Sequence, residues 1–473
     1  MPNLSRAELV RDADSEPRTT TLELFYDLVF VFAITQVSHL LLDNLTWQGA
    51  GQAALILLVV WWSWNYTTWV TNELDPDSVL VRLLLIVLML ASLLMAIAIP
   101  DAFGERALMF AGSYVAIQVG RHLFLTFVAA DRGTIERERA GVILTWFVAA
   151  GVLWLAGALV DGTARAALWL AALALDYGAP LVTYWVPWRP RIAPEAWDVG
   201  TEHFAERFQL FVIIALGESI VVTGATTSQL ELTPARVVAF AIAFLGAAAL
   251  WWLYFNFVAT LAERALERAE RRTLLARDAY TYLHIVIIAG ILLSAVGDEI
   301  VIAHPTDELS AAELAVVVGG PAVYLLAQAA VRLRVTGRIS LRRIGGALAC
   351  FAIAPIAAFA PALSVAAALL AVLIGVIVAD QVVATRRTAD RTRARTAYRP
   401  RRENAAWARR RRRSVPPEGR THVPGATGDR RERACIRRPA RAGQTSTTHL
   451  SRCDASAAVK RRCVRVASSG VRQ

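Results

Sequence analysis

The feature that most restricts this chain is a train of apolar stretches, each about twenty residues long, separated by short polar loops. A bilayer hydrocarbon core about 30 Å thick takes about 20 apolar residues per helix. Twelve such spans are legible: 22–42, 50–70, 79–99, 107–130, 140–160, 166–186, 203–225, 236–258, 278–302, 311–331, 343–360 and 362–385. They predict an all-α, polytopic transmembrane bundle in contact with a lipid bilayer. Composition agrees: 56% of the residues are hydrophobic and 19% charged, against about 45–50% and about 25% in a soluble domain. A single soluble domain and a wholly disordered chain are therefore excluded. Four cysteines in 473 residues exclude a disulfide scaffold. The first span is not read as a cleaved signal peptide, because no basic run precedes it and it carries Glu23, Asp27 and His39.

Charge divides the chain. Residues 386–473 hold 26 of the 50 basic and 6 of the 39 acidic side chains, while the rest of the chain is net acidic. With the N-terminus on the cytoplasmic side, the internal loops carry 15 arginines and the external loops only Arg106, Arg165 and Arg236. That bias predicts cytoplasmic N- and C-termini in a bacterial inner membrane. The expected order is a cytoplasmic segment 1–21, a six-helix half 22–186, a cytoplasmic linker 187–202, a second six-helix half 203–385, and a basic, disordered tail 386–473. The tail is expected to reach anionic lipid through charge alone. Residues 262–272 are expected to continue span eight as a polar helix, with Glu267 one turn before Arg271. Pro355 and Pro361 leave open whether the last two spans cross or form a re-entrant hairpin.

Self-comparison suggests an internal duplication. Spans one and seven share Glu23/Glu206 and Phe25/Phe208. Spans two and eight share W-x-x-x-N, as Trp61/Asn65 and Trp252/Asn256. Spans four and ten share Y-x-x-x-Q, as Tyr114/Gln118 and Tyr324/Gln328, and Asp176 pairs with Asp380. The matches keep their order along the chain, which predicts two parallel six-helix repeats.

Ionisable groups inside a span are costly and mark pathways or buried pairs. Glu23 and Asp27 share a face of span one, followed outward by Gln36 and His39. Thr20-x-x-Glu23 also matches a capping box. Span seven carries His203, Glu206, Arg207 and, about 18 Å beyond Glu206 along a helix, Glu218. A carboxylate at that depth must carry a proton or find a partner. Asn65, Arg121, His122, Asp176, Asn256, His284 and Asp380 complete the candidate set. Arg121 is expected to pair with Asp27 or Asp176. For each acid the alternative is a buried structural pair.

Two motifs then resemble a family. L-E-L-F-Y-D-L-V-F-V-F at 22–32, followed by Q-V-S-H at 36–39, and E-R-F-x-L-F-x-I-I-x-L-G-E-S at 206–219 are similar to the bacterial low temperature requirement A family, over roughly residues 18–385. The resemblance implies an integral inner-membrane protein. It places Glu23, Asp27, Glu206, Arg207, Gly217 and Glu218 on motif positions. The family name describes a growth trait and names no reaction.

No phosphate-binding G-x-x-x-x-G-K-[ST] loop and no H-E-x-x-H occur. His203-x-x-Glu206 supplies only two ligands, too few for a protein-held zinc. No metal, cofactor or catalytic residue is expected. Cys350 reads as a small core residue. The leading expectation is transport or conduction of a small solute or ion, a proton or cation, along a pathway lined by intramembrane carboxylates. A membrane enzyme using the same acids and histidines, and a non-catalytic scaffold, are the alternatives. An enzyme predicts a blind pocket with converging groups, and a scaffold predicts paired polar residues.

Overall fold

The structure, a computed structural model, describes residue 9 and residues 19–413 apart from 190, 192, 194–199 and 358. For 356, 387, 388 and 391–413 only the backbone is described. Contacts divide the chain into units 1–397 and 398–473. In the second unit the described residues, 398–413, are helical.

The first unit is built from α1 (Thr21–Leu42), α2 (Trp47–Thr71), α3 (Val79–Ala98), α4 (Ala107–Phe124), α5 (Ile135–Ala158), α6 (Gly162–Gly178), α7 (Thr201–Gln229), α8 (Pro234–Tyr254), α9 (Thr260–Arg268), α10 (Arg272–Leu275), α11 (His284–Ala303), α12 (Ala311–Thr336), α13 (Leu341–Ala357) and α14, which starts at Ala362 and runs to Arg413. Three π-helical segments lengthen this framework: Leu125–Ala129 after α4, Phe255–Ala259 after α8, and Ala276–Tyr282 before α11. Each of the twelve expected spans overlaps a helix, but α6 ends at Gly178, eight residues before the expected end of span six at 186.

The helix starts follow from their first turns. Thr20 accepts from Glu23 N, and the Glu23 carboxylate returns to Thr20 N, closing the expected capping box. Ser310 and Glu313 repeat it at α12. Thr46, Thr134 and Thr233 cap α2, α5 and α8 through their hydroxyls. Gly337, at φ 67°, ends α12 in the left-handed region that glycine adopts without penalty.

Eight helical runs among the described residues are long and apolar enough to cross a membrane: Thr21–Leu42, Val79–Asp101, Ile135–Ala158, Thr201–Gln229, Pro234–Arg268, Arg272–Ala303, Ala311–Thr336 and Ala362–Arg386. The chain is thus a helical membrane protein. The helices α2, α4, α6 and α13 fall outside that set. For α2 the cause is its position. Trp61, Trp62, Trp64, Asn65, Thr67 and Thr68 are buried within the protein, so the helix need not be apolar. Its tryptophans form the aromatic centre of the bundle, with Trp61 edge-on to Phe208 at 5.7 Å and Trp64 against Phe211 at 4.1 Å. On the other side, α11 and α12 approach closely. A Cβ on Gly290 would lie 2.7 Å from Tyr324 N, and one on Gly320 would lie 2.5 Å from Ser294 N.

Two expectations about the polar segments are corrected. The helix after span eight stops at Arg268, because Ala269 is extended (ψ 132°). Arg271 therefore does not stack on Glu267; instead Arg272 donates to the Glu267 carbonyl at 3.3 Å. The tail is not irregular from residue 386, since α14 continues to Arg413. Alanine and arginine are strong helix formers and carry the helix onward. The remainder of the tail, with Cys435, Cys453 and Cys463, lies outside the described residues. Cys350 is fully buried.

Candidate functional site

Helices α1 and α7 meet along a polar seam. Asp27 Oδ1 accepts from Arg207 Nη2 at 2.7 Å and from Trp64 Nε1 at 2.8 Å. One turn earlier on both helices, Glu23 Oε1 lies 3.0 Å from His203 Nε2. Both pairs are separated by 180 residues, so the two helices run parallel and in register. Glu218 follows about 16 Å along α7 from Arg207 and faces Thr35 and His39 of α1. The seam thus carries acids at three depths, two of them against a base.

Its first rung is fixed from behind. With the Asn72 amide turned so that its nitrogen meets Gly200 O at 3.1 Å, its oxygen accepts from Gly200 N at 3.0 Å. The same nitrogen then faces His203 Nδ1 at 3.4 Å. His203 Nδ1 becomes the acceptor, and Nε2–H donates to Glu23. Glu206 stands half-buried beside this rung and accepts from Thr19 N at 3.1 Å. The second rung is less complete. Asp27 Oδ2 and Arg207 Nε and Nη1 are buried without a hydrogen-bond partner among the described residues.

Beside the seam, on the face where α1 begins, lies a cavity of about 440 Å³. Its inner wall carries Asn65, Tyr66, His122, Tyr184 and Thr281. Apolar side chains, Val70, Leu74, Leu125 and Ile143 among them, form much of the rest. Two of the three π-helical segments line it, through Leu125 and Ala129 and through Arg277 and Thr281. Such segments widen a helix by one residue and are frequent at functional sites. Thr183 and Tyr184, also in the wall, hold φ of 53° and 54°. A β-branched threonine adopts that left-handed region only under strain. The turn brings the Tyr184 hydroxyl into hydrogen-bond contact with that of Tyr66. Thr281 Oγ1 donates to Asn65 Oδ1 at 3.1 Å, leaving the buried Asn65 Nδ2 without a partner. His122 Nδ1 lies 3.0 Å from Gln118 O, which fixes the proton on Nδ1 and leaves Nε2 as an acceptor.

Arg121 does not join either of its expected acids. Asp27 is taken by Arg207, and Asp176 accepts from Tyr114 OH at 2.7 Å and Trp154 Nε1 at 3.0 Å. The fully buried Arg121 guanidinium instead donates to Thr67 Oγ1 at 2.9 Å, to Ser63 O at 3.3 Å and to Gln118 Oε1. It also sits 5.5 Å from the centre of the Tyr66 ring.

The remaining candidates scatter. Gln36 is half-buried and His39 exposed. His284 stacks on Tyr280, meets Tyr254 OH at 2.9 Å and lies edge-on to Phe208 of α7 at 5.5 Å, but it neither bonds to a seam acid nor lines the cavity. Asp380 is held by Arg342 and Arg343 of α13. Asn256 is exposed, as is Trp252, so the second W-x-x-x-N faces outward whereas Trp61 and Asn65 are buried. Sequence reasoning missed Trp64, Tyr66, Tyr184 and Thr281. Their signal was available in principle, since a tryptophan N–H or tyrosine O–H deep in a span must find a partner. Among the described residues no three of His, Cys, Asp and Glu converge as metal ligands.

The family model described as bacterial low temperature requirement A protein matches residues 18–378. An uncharacterized protein of Rhizobium meliloti (strain 1021) is 37% identical over 322 residues, which cover 67% of this chain and 78% of that protein. No solved structure matches the chain.

Proposed function

Since the chain belongs to the bacterial low temperature requirement A family, whose name records no reaction, its activity has to be read from its own geometry, and we propose that it transports a small solute or ion. The observation that carries this reading is the cavity of about 440 Å³ inside a membrane bundle, with polar groups gathered at its inner wall. A solute site within a helical bundle, reached from one face, is what alternating access requires in one of its states. The neighbouring seam offers carboxylates at three depths, Glu23, Asp27 and Glu218, for stepwise proton movement. In this reading all twelve spans cross a bacterial inner membrane, both termini are cytoplasmic, and the cavity opens to the cytoplasm. The parallel, in-register contact of α1 with α7 supports two parallel six-helix repeats.

A second reading, a non-catalytic scaffold, is favoured by one observation: Glu23 and Asp27 each face a base. Purified full-length protein in liposomes separates the two. Under transport, an imposed solute gradient drives solute and proton flux above that of empty vesicles. Asp27→Asn and Glu218→Gln then lower the flux at least tenfold while the protein stays folded. If protons, monovalent cations and small organic solutes all leak no faster than through empty vesicles, the transport reading fails. If both variants fold and keep the wild-type flux and pH profile, these acids are structural.

A further inference from the structure

The cavity raises the question of what charge it favours. Its lining includes Glu73, Asp131, Glu136, Arg139 and Arg277. Glu73 is bound by Arg139, and Arg277 by Asp278. Glu73 and Arg139 cancel locally, while Asp278 is shared by Arg277 and the exposed Arg334, where water and salt screen the excess. Asp131 and Glu136 stand exposed, where water and salt screen them. Arg121 differs from all of them. It is fully buried, and no carboxylate among the described residues forms an ion pair with it. Its hydrogen-bond partners among the described residues are uncharged: a hydroxyl, a carbonyl and an amide oxygen. Its guanidinium lies behind the Tyr66 ring, and Tyr66 and the adjacent His122 are both part of the cavity wall.

A buried cation without a counter-charge is costly, and a low-dielectric surround transmits its field instead of screening it. The geometry points to an anion in the cavity as the missing counter-charge: the solute is a small organic monoanion, a carboxylate with an apolar body. Resting on the transport reading, this names the class of its substrate. The buried Asn65 Nδ2 without a partner supplies a hydrogen-bond donor at the inner wall. The apolar walls of Val70, Leu74, Leu125 and Ile143 suit a hydrocarbon or aromatic body better than chloride or inorganic phosphate.

Three probes of nearly equal shape test the charge: benzoate, benzamide and benzylammonium. Binding to the detergent-purified full-length protein is measured by calorimetry at fixed ionic strength. The expected result is benzoate at least tenfold tighter than benzamide, and benzylammonium weaker than both. Arg121→Gln removes the preference for benzoate over benzamide, and Arg121→Lys keeps part of it. Equal affinity for benzoate and benzamide in the unaltered protein overturns the inference without any variant. So does an undiminished preference in a folded Arg121→Gln. Phosphatidylglycerol in the micelle is expected not to displace benzoate; displacement would make the anion a lipid headgroup and overturn the soluble-solute assignment. Benzoate that binds but is not carried across liposomes removes the transport reading and leaves the anion site. Flux of neutral or cationic solutes without benzoate binding does the reverse.

Discussion

Arg207 and Asp27 lie 180 positions apart in the chain and 2.7 Å apart in space, and His203 and Glu23 repeat both the separation and the contact one helical turn earlier. Two acids at i, i+4 on one helix therefore answer two bases at i, i+4 on another. Both Asp27 and Arg207 are fully buried. Removing one partner strands the other in a medium that cannot solvate it.

That makes the stability of the seam non-additive. Arg207→Gln alone is expected to cost about 3–5 kcal/mol, and Asp27→Asn alone a comparable amount. The double variant recovers at least about 1 kcal/mol of the summed loss, within the range of coupling for residues in contact. Thermal or denaturant unfolding of the detergent-solubilised protein reads this cycle. Strict additivity would mean that the two groups do not interact.

The α11–α12 interface gives a steric prediction. Gly290→Ala places a methyl group 2.7 Å from the Tyr324 backbone nitrogen, and backbone cannot rotate away. It is expected to destabilise by about 1–3 kcal/mol, the usual cost of overpacking. Gly217→Ala, in the G-E-S segment of α7, meets nothing within 4 Å. There the better helix propensity of alanine should stabilise by about 0.5–1 kcal/mol. Opposite signs in the two melting shifts are the check.

The strained turn predicts a trade between stability and binding. Thr183→Gly relieves a positive φ that costs of order 1–3 kcal/mol for a β-branched residue, so the unfolding midpoint should rise or hold. The same change loosens the turn that presents Tyr184 to Tyr66. Affinity of the cavity for benzoate should fall several-fold. A variant that is both less stable and undiminished in binding would contradict this account.

The tail provides a test by deletion. Residues 1–397 form a unit by themselves. Removing 398–473 should leave membrane insertion, monodispersity in detergent and cavity binding intact. It should also abolish salt-sensitive attachment to anionic vesicles, because that segment carries most of the basic excess. Aggregation of the shortened chain would show that the body depends on the tail.

What the sequence made legible follows the range of the interactions involved. Helix positions and the Thr20–Glu23 cap depend on neighbours within a turn or two; the cap forms as expected and each expected span overlaps a helix, though α6 stops at Gly178 instead of continuing to 186. The acids of span one and span seven were conspicuous because charge is scarce in apolar helices. Their partners were not, because the register of α1 against α7 is a tertiary matter. Arg121 illustrates the limit. Depth along its helix suggested an acid partner, but rotation about the helix axis turned it toward α2 and its hydroxyl and carbonyl groups. Asn65 and Asn256 illustrate it again: identical spacing from a tryptophan, opposite exposure. The left-handed Thr183 and Tyr184 had no local signal at all, since neither is glycine or asparagine.

The in-register contact between α1 and α7 also decides which parts of the protein are free to move. Sliding one helix past the other would break the rungs at Glu23 and Asp27 together and expose charges to hydrocarbon. The two helices are therefore expected to travel as a single rigid axle. Any rocking that closes one face and opens the other must be taken up around it, by α4, α5 and α6, where a π-helical segment and a strained turn already give the backbone places to yield.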